Sequence, residues 1–314
     1  MSTPSTGAEK KPEGWLDARE RGGVLAIRAT VLLVTVFGRA VGRFVALFVA
    51  FYFTLTAPQA RRAIRGFRAR LDPSAPPLSF FAVYRHLLRF VHCTLDAFFF
   101  VQGKLSSFEI TCTGDHHVRA LRDGKKGAIL LGAHLGSFYA MRGQSATERV
   151  PLYALVFTKN ARMLNDALEK LDPDGSAHLV ELDAEGSLDS MLRIRELLEQ
   201  GAIVAILGDR IPAKASAERV VSVPFLGAEA PFPAGPLLIA SMLKAPVYLT
   251  FGLSRGRNRY DLFCEPFADR IELPRGDRKA ALARYVSRYA ERLEHYARMA
   301  PDNWFNFYDF WRAP

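Results

Sequence analysis

Beyond position 107 the chain alternates short apolar runs with segments of helical periodicity. The apolar runs predict strands over 108–113, 127–133, 152–157, 178–182, 202–208, 219–224, 246–252 and 260–265. Helical spacing predicts helices over 136–144, 160–171, 188–198, 235–243 and 278–299. Strands separated by helices predict an α/β fold, a central and mostly parallel or mixed sheet with helices on its faces. The run 127–133 is apolar at every position, as befits a strand covered on both sides.

The chain ahead of this alternation reads differently. Residues 1–21 are polar and lack the apolar core and cleavage site of a signal peptide. From Gly22 to Ala57 the chain is apolar, broken by Arg28, Arg39 and Arg43. Its uncharged stretch, Phe44 to Ala60, sits at the lower limit of about 17 residues for crossing a bilayer. A spanning helix fits that pattern. So does a hairpin or oblique helix lying in the interface, with guanidinium groups reaching lipid phosphate. Arg61, Arg62, Arg65, Arg68 and Arg70 follow at once, and arginines beside an aromatic apolar segment predict contact with an anionic membrane surface. Asp72-Pro-Ser-Ala-Pro-Pro77 then leads to a helix over 78–101. Its stripe of Tyr84, Leu87, Leu88, Val91, Leu95 and Phe98 is read as core. The expected division is a polar tail (1–21), an apolar and basic helical membrane anchor (22–71) and a catalytic domain (72–314).

A hydrophobic share of 49% against 24% charged residues marks a folded chain, and 314 residues suffice for one large core or two modest ones. The formal charge of +10 favours anionic partners. Nucleic acid is set aside, because the arginine cluster adjoins a segment too apolar to stand in water as a recognition element. Cys93, Cys112 and Cys264 are scattered without a CxxC pair, which argues against a zinc ribbon or a disulfide scaffold. No His/Cys/Asp grouping has metal-ligand spacing, and His116-His117 is read as lying in a loop.

Candidate chemistry gathers at predicted strand ends. His134 follows the run 127–133 and precedes a helix, the place where α/β folds collect ligands, and an imidazole suits proton transfer near neutrality. Gly136 and Ser137 at the helix start offer backbone N–H groups to a thioester oxyanion. Asp209 and Arg210 leave the run 202–208. Arg142, Lys159, Arg162 and Arg210 suit phosphate on an acceptor lipid or on a phosphopantetheine donor. A glycine- and proline-rich loop from Val223 to Pro236, with Phe232 and Gly235, opens a helix. Ser137 is not read as a nucleophile, since Gly-x-Ser-x-Gly is absent. Gly132-Ala-His-Leu-Gly136 has the wrong glycine spacing for a dinucleotide fingerprint.

Taken in order, these segments resemble the lysophospholipid acyltransferase superfamily, and within it the bacterial lipid A biosynthesis (late) acyltransferases. The superfamily signature, His followed five positions on by Asp or Glu, falls on His134 and Tyr139. The Gly-Asp209-Arg210 turn resembles the family's acid-bearing turn and the segment Val223 to Pro236 its substrate-cleft loop. The run from Asp302 through Trp304 to Trp311 resembles its aromatic C-terminus. The resemblance covers nearly the whole chain. It implies a membrane-associated enzyme on the cytoplasmic face of a bacterial inner membrane, with no cofactor. Acyl-ACP or acyl-CoA would serve as co-substrate, and His134 would be the general base for acylating a hydroxyl or amine of a lipid or glycolipid.

Tyr139 departs from the family, whose carboxylate orients the imidazole and stabilises the imidazolium. Three readings stay open: a slow enzyme using Tyr139, an enzyme whose carboxylate comes from Asp209 or Glu265, and a non-catalytic lipid-binding subunit. A thioesterase using water is a further rival. Phe232-Pro-Ala-Gly235-Pro is similar to the Phe-Pro-Glu-Gly-Thr block of glycerol-phosphate acyltransferases with alanine in place of the acid, which favours a larger amphipathic acceptor over lysophosphatidate.

Overall fold

The computed structural model describes residues 24–157, 177–182, 188–212 and 219–312. The predicted helix over 160–171 lies outside them. Strands β1 (Glu109–Thr113), β2 (Ala128–Gly132), β3 (Leu152–Phe157), β4 (Ala177–Leu182), β5 (Ile203–Leu207), β8 (Val247–Gly256) and β9 (Arg259–Ala268) form one sheet in the order β1-β9-β8-β2-β5-β3-β4. Neighbours are parallel except β8 and β9, which are antiparallel. The fold is therefore α/β with a mostly parallel mixed sheet. β2 lies in its interior and is buried at every position, as its unbroken apolar run requires.

Successive side chains of β2 serve opposite faces. Ile129 and Leu131 join a core with α6 (Leu188–Glu199), α7 (Gly235–Leu243) and α8 (Arg278–Met299). Ala128 and Leu130 join Leu121 of α4 (Asp115–Asp123) on the other side, where α5 (Phe138–Thr147) also packs. His116 and His117 thus open a helix and do not sit in a loop; their rings lie 4.0 Å apart.

The segment from Val223 to Pro236 is also a correction. It is a two-stranded ribbon, β6 (Val220–Phe225) with β7 (Ala228–Pro233), followed directly by α7. The strand expected over 219–224 is β6; Pro231 and Pro233 pointed to a loop beyond it, but both strands of a lone ribbon are edges and tolerate a missing N–H. Leu226 and Gly227 make the turn with φ of 50° and 78°, the backbone of a tight two-residue hairpin. A Cβ on Gly227 meets no atom within 4 Å, so only its left-handed backbone opposes a substitution. Gly227→Ala is expected to cost about 1 kcal/mol, readable as a lowered denaturation midpoint with activity retained.

The helices before the sheet are α1 (Val24–Thr56), kinked at Gly38, α2 (Pro58–Leu71) and α3 (Phe80–Val101). α2 buries Ala60, Ile64, Phe67 and Leu71, a helical stripe that leaves its arginines on other faces. The expectation that Arg39 and Arg43 snorkel to lipid is overturned. Arg39 makes a two-pronged salt bridge to Asp96 of α3 (2.7 and 2.9 Å), and Arg43 lies 3.9 Å from the same carboxylate and donates to the Arg257 carbonyl. Asp96 is 1% exposed, and Tyr260 on β9 donates to it at 2.8 Å. A carboxylate in an apolar stripe needs such partners to be tolerated. With its charged side docked, α1 turns outward Phe37, Phe44, Phe48, Phe51, Tyr52 and Leu55.

Candidate active site

The last β2–β5 pair is Gly132 with Leu207, so positions 134 and 209 leave neighbouring parallel strands at the same level. That register brings His134 and Asp209 together. Asp209 Oδ1 accepts a hydrogen bond from His134 Nδ1 at 2.7 Å, and Oδ2 accepts the His134 backbone N–H at 3.0 Å. Of the carboxylates considered from the sequence, Asp209 is the one in contact with the His134 ring. Glu265 is engaged by Arg292 through two contacts of 2.7 Å and by Tyr296 at 3.0 Å. Tyr139, on α5, packs against Phe138 and beside the cluster that includes Phe100, Met141 and Tyr260.

Asp209 is fully buried, whereas the His134 side chain is 28% exposed. Burial pushes the His134 pKa below the ordinary imidazole value and the nearby Arg210 cation pushes the same way, against the opposing pull of Asp209. Burial alone would raise Asp209. The charge and hydrogen bond of His134, the Arg210 cation and the Trp304 N–H more than offset it, leaving Asp209 below the usual carboxylate range. At neutral pH the pair is then an ionised carboxylate holding a neutral imidazole. Nδ1 carries the proton, and Nε2 has its lone pair available for an incoming one.

The C-terminal segment closes the site from behind, a contact the sequence reading did not anticipate. Trp304 bridges Leu135 in antiparallel fashion, and its indole N–H donates to Asp209 Oδ2 at 3.0 Å. Phe305 N–H donates to the His134 carbonyl at 2.9 Å. Arg210 is half-buried beside the pair and donates to the Phe305 carbonyl.

The remaining candidates are placed less favourably for contact with substrate. The N–H groups of Gly136 and Ser137, expected to hold an oxyanion, donate instead to Asn303 O (2.8 Å) and Gly252 O (2.7 Å). Gly136 is required as glycine there, with φ 76° and the Gly252 carbonyl where a Cβ would stand. Ser137 caps α5 by accepting the Ala140 N–H, and is buried. Arg142, expected at phosphate, is buried on α5, and Phe232 is in the core against Phe225, Tyr289 and Phe310. Gly235 is the first residue of α7. Lys159 and Arg162 fall outside the described residues. A small, mostly apolar pocket of about 60 Å³ lies under α5, lined by Leu130, Phe138, Met141, Leu152, Leu262 and Phe263 among others. Neither His134 nor Asp209 is among the residues that line it.

No curated protein matches the chain. Residues 84–313, from within α3 to the end of the aromatic C-terminal segment, match the family described as bacterial lipid A biosynthesis acyltransferase. With this match over most of its length, the chain belongs to the bacterial lipid A biosynthesis acyltransferase family and is an acyltransferase.

Proposed function

We propose that the protein moves a fatty acyl group from an acyl thioester, acyl-ACP or acyl-CoA, to a hydroxyl or amine of a lipid or glycolipid on the cytoplasmic face of a bacterial inner membrane. The observation that carries this reading is the 2.7 Å contact between His134 Nδ1 and Asp209. With Nδ1–H held, Nε2 takes the proton of the acceptor as its oxygen or nitrogen attacks the thioester carbonyl, and Asp209 stabilises the resulting imidazolium. As the tetrahedral intermediate collapses the carbon–sulfur bond breaks, and the departing thiolate takes the proton from Nε2, which returns His134 to its neutral form. Asp209 restores the charge that Tyr139 lacks, which favours turnover over a binding-only role.

The test supplies labelled long-chain acyl-ACP or acyl-CoA with a bacterial membrane extract. Labelled lipid that disappears with His134→Ala supports the proposal. Labelled free fatty acid alone makes the protein a thioesterase, and no product at all makes it a binding protein.

The outward face of α1 supports interfacial docking. Among the described residues, Phe37–Thr56 is the one helix long and apolar enough to cross a membrane by length and composition. Phe44 and Phe48 are each 60% exposed, and Arg62 and Arg65 are exposed on the neighbouring α2. Aromatic rings in the acyl boundary with arginines at the headgroups give both an apolar and an ionic contribution. In flotation with anionic vesicles, Phe44→Asp with Phe48→Asp is expected to weaken binding more than about tenfold. Salt is expected to weaken it only in part.

A further inference from the structure

Trp304 has a single polar side-chain atom, and it is spent on Asp209. The indole is 1% exposed and wedged edge-on by Phe67 (4.9 Å), Phe225 (5.5 Å) and Phe310 (5.0 Å). Its main chain is fixed as well: the carbonyl accepts from Nε2 of the buried His86 at 3.0 Å, and the flanking Asn303 and Phe305 pair with Gly136 and His134. None of that backbone pairing calls for a tryptophan, and an aromatic ring alone would fill the space. The N–H is the surplus feature.

From this arrangement we infer that Trp304 is a positioning residue for the His134–Asp209 pair. Its N–H fixes the plane of the carboxylate and holds down its proton affinity, so that the Nδ1 proton stays on the ring when imidazolium forms. The inference rests on the dyad reading above. Three N–H groups share the two oxygens: Nδ1–H on Oδ1, and the His134 backbone N–H and the indole N–H on Oδ2. An indole N–H suits the task because it is neutral and donates only, so it cannot compete for the proton in flight. A carboxylate oxygen relieved of this donor becomes the stronger base. It attracts the imidazolium more strongly, and the Nδ1 proton is more readily drawn across to it. The other charged or titratable groups facing Asp209 are Arg210 on the turn after β5, Tyr289 on α8 and Tyr308 in the C-terminal segment. Burial pushes both tyrosines up, Tyr308 to about 12, so neither titrates near neutrality.

The test follows carbethoxylation of His134 by diethyl pyrocarbonate, read by peptide mass spectrometry across the acid-to-neutral range, on the full chain in detergent micelles. Only the neutral ring reacts, so the profile gives the His134 pKa without any substrate. Replacing Trp304 by β-(3-benzothienyl)alanine keeps the ring's shape and removes the N–H, and Trp304→Phe removes it more coarsely. Both are expected to raise the His134 pKa by about half to one unit. Phe67→Leu, which disturbs the packing of Trp304 but not its N–H, is expected to leave it in place. Asp209→Asn is expected to lower it. A wild-type profile for the benzothienyl protein, or an equal rise with Phe67→Leu, overturns the role of Trp304 while leaving the dyad standing. A profile unmoved by Asp209→Asn instead removes the dyad, and this inference with it.

Discussion

Asp209→Asn is expected to slow acyl transfer by about 10³-fold or more, and His134→Ala by at least as much. The asparagine keeps the shape of the buried site but removes the charge that faces the imidazolium, and its NH₂ can impose the wrong tautomer on the ring. The two changes together should cost little more than either alone, because the groups act as one unit. The pH dependence has a definite sign. Transfer needs neutral His134, whose pKa burial and Arg210 hold below the ordinary imidazole value, so activity persists below that value and falls as the pH drops through the lowered pKa. In Asp209→Asn the group that pulled the pKa upward is gone, so the residual activity should keep its acid limb at still lower pH. Tyr139→Glu should bring no gain, because Nδ1 already has its carboxylate. Initial rates with the labelled acyl donor decide the matter: an Asp209→Asn protein within about threefold of wild type would return the orienting role to another group.

How much of this was legible in the chain varied with the range of the interaction. β2 was readable because an apolar run buried on both faces leaves a local trace, and α7 and α8 because helical spacing does the same. His134 and Asp209 were each visible as polar residues ending such runs. Their contact depended on β5 lying beside β2, which spacing along the chain does not encode. β6 was readable as the apolar run over 219–224, but its partner β7 was hidden by Pro231 and Pro233, and by a hairpin turn beginning with Leu226, a residue that seldom adopts a left-handed backbone. Trp304 showed only as part of an aromatic C-terminus, since its bridge to Leu135 joins distant segments. The Gly136 and Ser137 N–H groups looked available at a helix start, yet two neighbouring segments had taken them. Asp96 did carry a usable signal: a carboxylate inside an apolar helical stripe requires a buried cationic partner, and arginines interrupting the preceding apolar helix were the natural candidates.

That pairing sets the second large effect. Asp96→Ala is expected to destabilise the protein by about 3 kcal/mol, because it strips the carboxylate from Arg39 and leaves the Tyr260 hydroxyl buried without its acceptor. Arg39 is 13% exposed and can recover part of its hydration, which places the cost at the lower end for a broken buried pair. Restoring charge balance tests the cause: Arg39→Leu combined with Asp96→Leu should recover much of the lost stability, since an apolar pair of similar volume has no desolvation to offset. Denaturant midpoints of the three proteins, measured in the same detergent, separate the cases. A double variant as weak as Asp96→Ala would mean that packing and the Tyr260 hydrogen bond, and not the charge on Arg39, are what suffers. The same pair decides how α1 presents itself. Once Arg39 and Arg43 lose Asp96, only the Arg257 carbonyl, Asn258 and the Phe108 ring still hold the arginines inward, and the pull that turns the phenylalanines outward weakens. Asp96→Ala should therefore also weaken flotation with anionic vesicles, although it changes no residue on the exposed face.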